Sequence, residues 1–218
     1  MRSLVILPVL TIGLSTSAPR KQTADATIKR AIAAWSRVKT VRATFEQTLT
    51  NPLTGSKMTS TGALQQRKPS KLAITFTDPA GDRIVADGKY VWVYLQSATP
   101  GQVLRMNRTD VGAANTDLIG QFLSIPRSAY DVTAEGTEKV GARTARVLVL
   151  LAKPGQALPF VRAKVWVDTN DALIRQFEST DANGVTRHVR LLTLKPNVVV
   201  DAGAFTFNVP EGVRVVDR

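Results

Sequence analysis

Apolar and polar residues alternate with a period of two along most of this sequence, and this pattern constrains the fold more than any other feature. In the segment KLAITFT, Leu72, Ile74 and Phe76 share one parity and mainly polar residues share the other. Because successive side chains of a strand point to opposite faces, such segments form strands with one buried face. About eleven of them, separated by turn residues, predict a strongly curved or partly closed antiparallel sheet. The last of these predicted strands covers residues 205–209.

Two segments have helical spacing instead. Residues 24–38 form a predicted amphipathic helix capped by Thr23, and residues 115–124 form a shorter one capped by Asn115 or Thr116. Their apolar stripes include Ile28, Ile32, Trp35, Leu118, Ile119 and Phe122. Because short helices can hardly fill the concave side of an eleven-strand sheet, we expect an apolar cavity with these helices as its lid. The alternative is an ordinary core with helices packed on a curved sheet.

The N-terminus is typical of a secretory signal peptide. Residues 1–17 contain Arg2, an apolar run from Leu4 to Leu14 and then small residues, and this run is too short to span a bilayer. We expect cleavage between Ser17 and Ala18, after which residues 18–218 form a single domain. A short uncleaved anchor or a buried strand is the alternative interpretation.

The chain of 218 residues is strongly basic, with a formal net charge of +12 and an isoelectric point near 10.5. In an exported protein this charge favours an anionic membrane surface or an acidic protein as partner. Nucleic acid is not predicted, because the basic residues are scattered and are not interleaved with aromatic ones. Solvation of the outer strand faces explains the charge equally well.

No pattern in the sequence indicates catalysis or metal binding. The single histidine, His188, has the solvent-facing parity of its strand, and no nucleophile or orienting carboxylate is signalled near it. The absence of Cys excludes disulfides and thiolate metal sites. The acidic segments 168–171 and 181–184 fit hairpin turns better than Ca²⁺ loops. We therefore predict no catalytic residue, no cofactor and no metal ligand.

The segment IVADGKYVWVYL, residues 84–95, has apolar residues on both faces of its second strand. A two-residue turn at Asp87-Gly88 places the aromatic row of Tyr90, Trp92 and Tyr94 opposite an aliphatic row. We assign the aliphatic row to the concave face, and a slip of one residue would instead turn Trp92 inward. The complete predicted cavity wall comprises Val41, Phe45, Leu64, Leu72, Ile74, Phe76, Ile84, Val91, Val93 and Leu95.

The order of several individually weak motifs resembles the LolA family of periplasmic outer-membrane lipoprotein carriers. These motifs include VRATFEQTL, GALQQRKPSKLAITF, DPAGDRIVADGKYVWVY and a closing FTFNVPEGVRVVD. The resemblance implies an α+β, mainly β fold: a curved, unclosed antiparallel β-barrel whose helical lid covers an apolar cavity. The cavity shelters the acyl chains of lipoproteins, which the carrier takes from an inner-membrane ABC transporter. It delivers them to an outer-membrane acceptor or to the anionic outer-membrane surface.

The same resemblance implies a cationic latch for the lid. In the family, an Arg directly before the Pro of a basic turn holds the lid by bonding helix carbonyls, and the matching residue here is Lys68, beside Arg67. Strand parity points Lys68 inward and Arg67 outward. Because Lys lacks the planar fork of Arg, we expect a weaker latch, unless Arg67 substitutes through a shifted register. Snorkelling of Lys68 at a strand end is the alternative.

Without Cys, the chain resembles the soluble, monomeric carrier more than the lipid-anchored acceptor. A second function stays open at this point. The same fold can form a binding module that senses lipids or lipoproteins and acts through a protein partner.

Overall fold

A computed structural model of the chain describes residues 18–111 and 116–218. Within them, twelve strands form one sheet. They are Thr40–Thr50 (β1), Lys57–Arg67 (β2), Lys71–Asp78 (β3), Arg83–Asp87 (β4), Tyr90–Tyr94 (β5), Gln102–Asn107 (β6), Tyr130–Val140 (β7), Arg143–Ala152 (β8), Arg162–Asp168 (β9), Ile174–Thr180 (β10), Thr186–Pro196 (β11) and Arg214–Asp217 (β12). The predicted signal peptide, residues 1–17, lies outside the described residues.

The strand order in the sheet is β12-β6-β5-β4-β3-β2-β1-β11-β10-β9-β8-β7. Neighbouring strands are antiparallel, except that β12 runs parallel to β6. Because β12 and β7 form separate edges, the curved sheet stays unclosed. The predicted fold class is therefore confirmed.

The predicted strand at 205–209 is wrong. Residues Gly203–Phe205 form a 3-10 turn, and the final strand is β12. The ring of Phe205 fills a cluster with Ala73 and Val200 on the convex face, so this segment packs through its side chains instead of pairing through its backbone. The segment 198–213, which we call the strap, crosses the convex face in this way before it joins β6 through β12.

Helix α1 spans Ala18–Ser36, and the short helix α2 spans Arg108–Val111. Thr23 therefore lies within α1 and does not cap it. No helix in the described ranges is both long and apolar enough to cross a membrane. The predicted helix at 115–124 is wrong for its described part, which turns through a 3-10 segment at Gly120–Phe122. The reason is local: the carboxylate of Asp117 accepts the amide hydrogen of Gly120 at 2.8 Å and bends the chain there. Asn115 lies outside the described residues.

The turn between β4 and β5 lies one residue later than predicted, at Gly88-Lys89. Ile84 pairs with Val93 and Ala86 with Val91. Asp87 ends β4, and its carboxylate accepts the amide hydrogens of Lys89 and Tyr90 at 2.7 Å each. Moving a turn by one position shifts the register by two residues, so every side chain keeps its predicted face.

The aromatic row therefore lies on the convex side. Phe207 from the strap stacks on Trp92 with ring centroids 5.4 Å apart and also contacts Tyr94 at 5.7 Å. Burial alone would raise the pKa of Asp87, but hydrogen bonds from the Trp92 indole and two backbone amides hold it below its usual range. The strap and the turn together explain why the outer face of β5 is aromatic.

Candidate functional site

An apolar cavity of about 230 Å³ lies on the concave face of the sheet. Its wall includes five of the predicted residues, namely Leu72, Ile74, Ile84, Val91 and Val93, and Leu118 from the predicted lid. It also includes Met106, Val111, Gln121 and Arg187, which the sequence analysis did not select. Strands β3 to β6 thus supply one aliphatic surface, and residues 118–121 close it from the opposite side.

Other predicted wall residues lie on the same concave face but pack in the core beside the cavity. Val41, Phe45 and Leu64 are buried there, and Phe76 meets the Phe45 ring edge-on at 5.8 Å. The prediction for Leu95 is wrong. Strand β5 ends at Tyr94, and the carbonyl of Leu95 accepts turn hydrogen bonds from Ala98 and Thr99. The chain bends away there, so Leu95 lies outside both the cavity and the core cluster.

Two segments cover the concave face, α1 and residues 116–124, and we call them the lid. The predicted lid side chains pack into one apolar cluster: Ile28, Ile119 and Phe122 are fully buried, Trp35 nearly so, and Ile32 and Leu118 partly. The two segments also bond to each other, because the Trp35 indole donates to the Asp117 carboxylate at 3.0 Å.

Gly120 allows this close contact between the lid segments. A Cβ atom built on Gly120 would lie 2.0 Å from Nε1 of Trp35 and 2.1 Å from Oδ2 of Asp117. No real Cβ contact is so short, and both atoms belong to the hydrogen bond that joins the segments. Glycine at this position therefore permits the observed packing.

Lys68 reaches the lid from the sheet. Its Nζ donates to the carbonyl oxygen of Trp35 at 2.8 Å and lies 4.2 Å from the centroid of the Trp35 ring. Burial lowers the pKa of Lys68, and the nearby carboxylate of Asp117 opposes this shift in part. One cation thus contacts both the backbone and the ring of the residue that links the two lid segments.

Arg67 points to the opposite side of the sheet. Its Nη2 donates to the carbonyl of Val200 at 2.8 Å, and the guanidinium lies 5.6 Å from the Phe205 ring centroid. Arg67 therefore binds the strap, while Lys68 binds the lid. The latch role itself stays a prediction.

Gln66 supplies a second polar contact to the lid that the sequence analysis missed. Its side chain is only 2% exposed, and its Nε2 lies 3.5 Å from the carbonyl oxygen of Thr116. Gln66 has the parity of Gly62 and Leu64, which are also buried, so strand alternation placed it inward. A polar residue at an inward position was the available signal.

The remaining polar candidates lie away from the cavity. His188 sits on the outer face, with its ring 6.3 Å from the Trp166 ring. Asp168 and Asp181 accept backbone amide hydrogens in hairpin turns. Among residues 18–111 and 116–218, no three acidic or histidine side chains gather as a metal site would require.

The chain is similar to known carriers along most of its length. Residues 36–208 match the family described as "Outer membrane lipoprotein carrier protein LolA". An outer-membrane lipoprotein carrier protein of Leptothrix cholodnii is 30% identical over 186 residues, which cover 83% of this chain and 81% of that protein. One from Chromobacterium violaceum is 28% identical over 215 residues, covering 97% of each chain.

Similarity to a solved structure supports the fold and carries no information about function. An uncharacterized conserved protein from Thermus thermophilus superposes with a TM-score of 0.55 at 16% sequence identity. The superposition covers 90% of this chain and all of that one.

Proposed function

Because this chain belongs to the LolA family of outer-membrane lipoprotein carrier proteins, we propose that it shuttles lipoproteins through the periplasm as a monomer. In this proposal it receives them from an inner-membrane ABC transporter and delivers them to an outer-membrane acceptor or to the anionic outer-membrane surface. The acyl chains occupy the cavity, and Lys68 is the latch of the lid. The observation that supports the proposal is an aliphatic cavity beneath two lid segments, with Lys68 bonded to the Trp35 carbonyl in one of them.

The described conformation corresponds to a carrier with its lid closed. A cavity of about 230 Å³ is smaller than the roughly 300–1,000 Å³ of typical ligand pockets. Long acyl chains therefore require the lid to move, which would join the cavity to the space now filled by Trp35, Ile119 and Phe122. Loading and release are in this way coupled to the contacts that hold the lid.

The energetics explain why such a carrier needs partners. A buried CH₂ group contributes roughly 0.8 kcal/mol, so a sheltered sixteen-carbon chain gains roughly 12 kcal/mol relative to water. This gain prevents escape into water, but a bilayer shelters the chain equally well. Uptake from the inner membrane consequently requires external work, which an ATP-driven transporter supplies.

The test uses two neighbouring residues on opposite faces of β4. Ile84→Gln places an amide in the cavity wall, and Arg83→Gln makes the matched change on the outer face. Inner-membrane vesicles that contain the transporter and a lipoprotein are incubated with each variant, and soluble lipoprotein is measured. We expect wild type and Arg83→Gln to release it and Ile84→Gln to release at least about tenfold less, because an unpaired amide in an apolar site is costly. Equal release by all three proteins would refute the cavity assignment.

A sensing module remains the alternative, and the bound material distinguishes the two functions. The protein is purified from the periplasm, and its bound material is identified by mass spectrometry. Acylated proteins support the carrier, whereas free lipid together with a regulatory protein would overturn it.

A further inference from the structure

Arg187 places a cation on the otherwise aliphatic concave face. It pairs with Leu49 of β1 and Ser179 of β10, and it has the inward parity of the buried Val189. Its side chain lines the same cavity as Ile74. The side chain is exposed to water, so the guanidinium lies in a solvent-accessible part of the cavity and not in the buried core.

The guanidinium of Arg187 has no side-chain hydrogen bond, ion pair or aromatic ring partner among the described residues. None of the described residues that line the cavity is acidic. Although water reaches this side chain, the protein atoms around the guanidinium reduce its hydration and lower the pKa of Arg187, and no neighbouring charge opposes this shift. By contrast, Arg190 on the outer face of the same strand lies 2.8 Å from a carboxylate oxygen of Glu46. An unpaired inward cation with five donors is unusual, and a carboxylate or a phosphate matches its planar geometry.

We propose that the cavity binds a single-chain anionic amphiphile, with its alkyl chain along the aliphatic wall and its carboxylate or phosphate head at Arg187. The wall of β3 to β6 accounts for the chain, and the guanidinium accounts for the head. The small volume favours one alkyl chain over several. This ligand class differs from the acylated protein of the proposed function, although both use the same cavity.

Calorimetric titration with decanoate and decyl phosphate below their critical micelle concentrations, and with decanol below its solubility in water, tests the proposal on the full mature chain. Because the chain is strongly basic, general attraction of anions must be separated from binding at Arg187. Arg187→Gln and the matched Arg190→Gln remove one positive charge each from opposite faces of β11. Melting temperatures establish that both variants fold.

We expect wild type and Arg190→Gln to bind one or both anionic ligands at least about tenfold more tightly than decanol. Arg187→Gln should lose this preference and bind decanol unchanged. Preference for decanoate assigns a carboxylate head, and preference for decyl phosphate assigns a phosphate head. The proposal is overturned if wild type shows no preference, if Arg187→Gln retains it, or if Arg190→Gln loses it equally.

The two proposals can fail separately. If wild type solubilises no lipoprotein but prefers the anionic ligands in an Arg187-dependent way, only the carrier proposal fails. If lipoprotein transfer is normal and the preference is absent, only the present inference fails.

Discussion

The contact between Lys68 and the lid gives the most specific prediction. Lys68→Met keeps most of the side-chain volume but removes the charged hydrogen bond to the Trp35 carbonyl and the cation above the Trp35 ring. A hydrogen bond to a charged group contributes about 1.5–3 kcal/mol, and a partly exposed cation–π contact about 0.5–1 kcal/mol. Desolvation of the ammonium, which also lowers the pKa of Lys68, offsets part of this gain. A net stabilisation of the closed lid by about 1.4 kcal/mol is a reasonable central value, equivalent to about tenfold in the closed-to-open ratio.

Amide hydrogen exchange measures this ratio directly. In the lid, the amides of Gln121, Leu123 and Ser124 donate to carbonyls within residues 117–120. They exchange only when this segment opens, because closure protects them from water. Lys68→Met should accelerate their exchange by about tenfold and leave the strands of the sheet unchanged. Faster release of bound lipoprotein to an acceptor should accompany it.

Arg67→Met is the matched control, since Arg67 makes the same kind of contact with the strap. It donates to a carbonyl at 2.8 Å and lies over an aromatic ring, but on the convex face. This variant should accelerate exchange in the strap, for example at Thr206, and leave the lid unchanged. Unaltered lid exchange in Lys68→Met, or equal acceleration by both variants, would refute the latch assignment.

Two further predictions concern the lid packing and a buried ion pair. Gly120→Ala should disrupt the Trp35 indole bond and lower the melting temperature, because the added methyl group overlaps Nε1. Asp168→Ala should lower the free energy of unfolding by about 1.5–3 kcal/mol, because the buried Arg175 then keeps only Asp171 as a carboxylate partner. Asp171→Ala, at a more exposed site, should lower it less. Burial alone would raise the pKa of Asp168, but hydrogen bonds from a backbone amide and Arg175 lower it. This stabilisation is therefore present near neutral pH and is lost on acidification through the folded-state pKa. In denaturant titrations, the difference in unfolding free energy between wild type and Asp168→Ala should accordingly shrink as the pH falls.

Strand faces could be predicted from the sequence because they depend on parity alone. Ile84 and Val93 were assigned to the concave face, although the turn was placed one residue too early, since that error shifts the register by an even number. The side-chain acceptor of Asp87 decides the turn position, and alternation carries no information about it. The end of β5 before Leu95 depends likewise on turn hydrogen bonds.

The lid and the polar groups of the cavity were harder to predict. Residues 116–124 have helical spacing, but the Asp117 carboxylate and the contact between Gly120 and Trp35 impose a tight turn. The Asp117 bond is local, but helical periodicity does not encode it, and the contact between Gly120 and Trp35 joins segments distant in sequence. The inward orientation of Arg187 could have been predicted, because it shares the parity of Val189. A search for apolar residues alone does not select a cation at such a position.

The strand order has a consequence for how the chain folds. Strands β1 to β6 form one meander of sequence neighbours, and β7 to β11 form another. Among the described strands, the two meanders pair with each other where β1 meets β11, from Val41 with Pro196 to Thr50 with Thr186. The C-terminal strand β12, which follows the strap, pairs separately with β6. Each meander can form from local hairpins, while the β1–β11 seam must close a loop of well over a hundred residues. Since such closure is slow, formation of this seam should limit the folding rate, and the concave face should stay open until the C-terminal meander has docked.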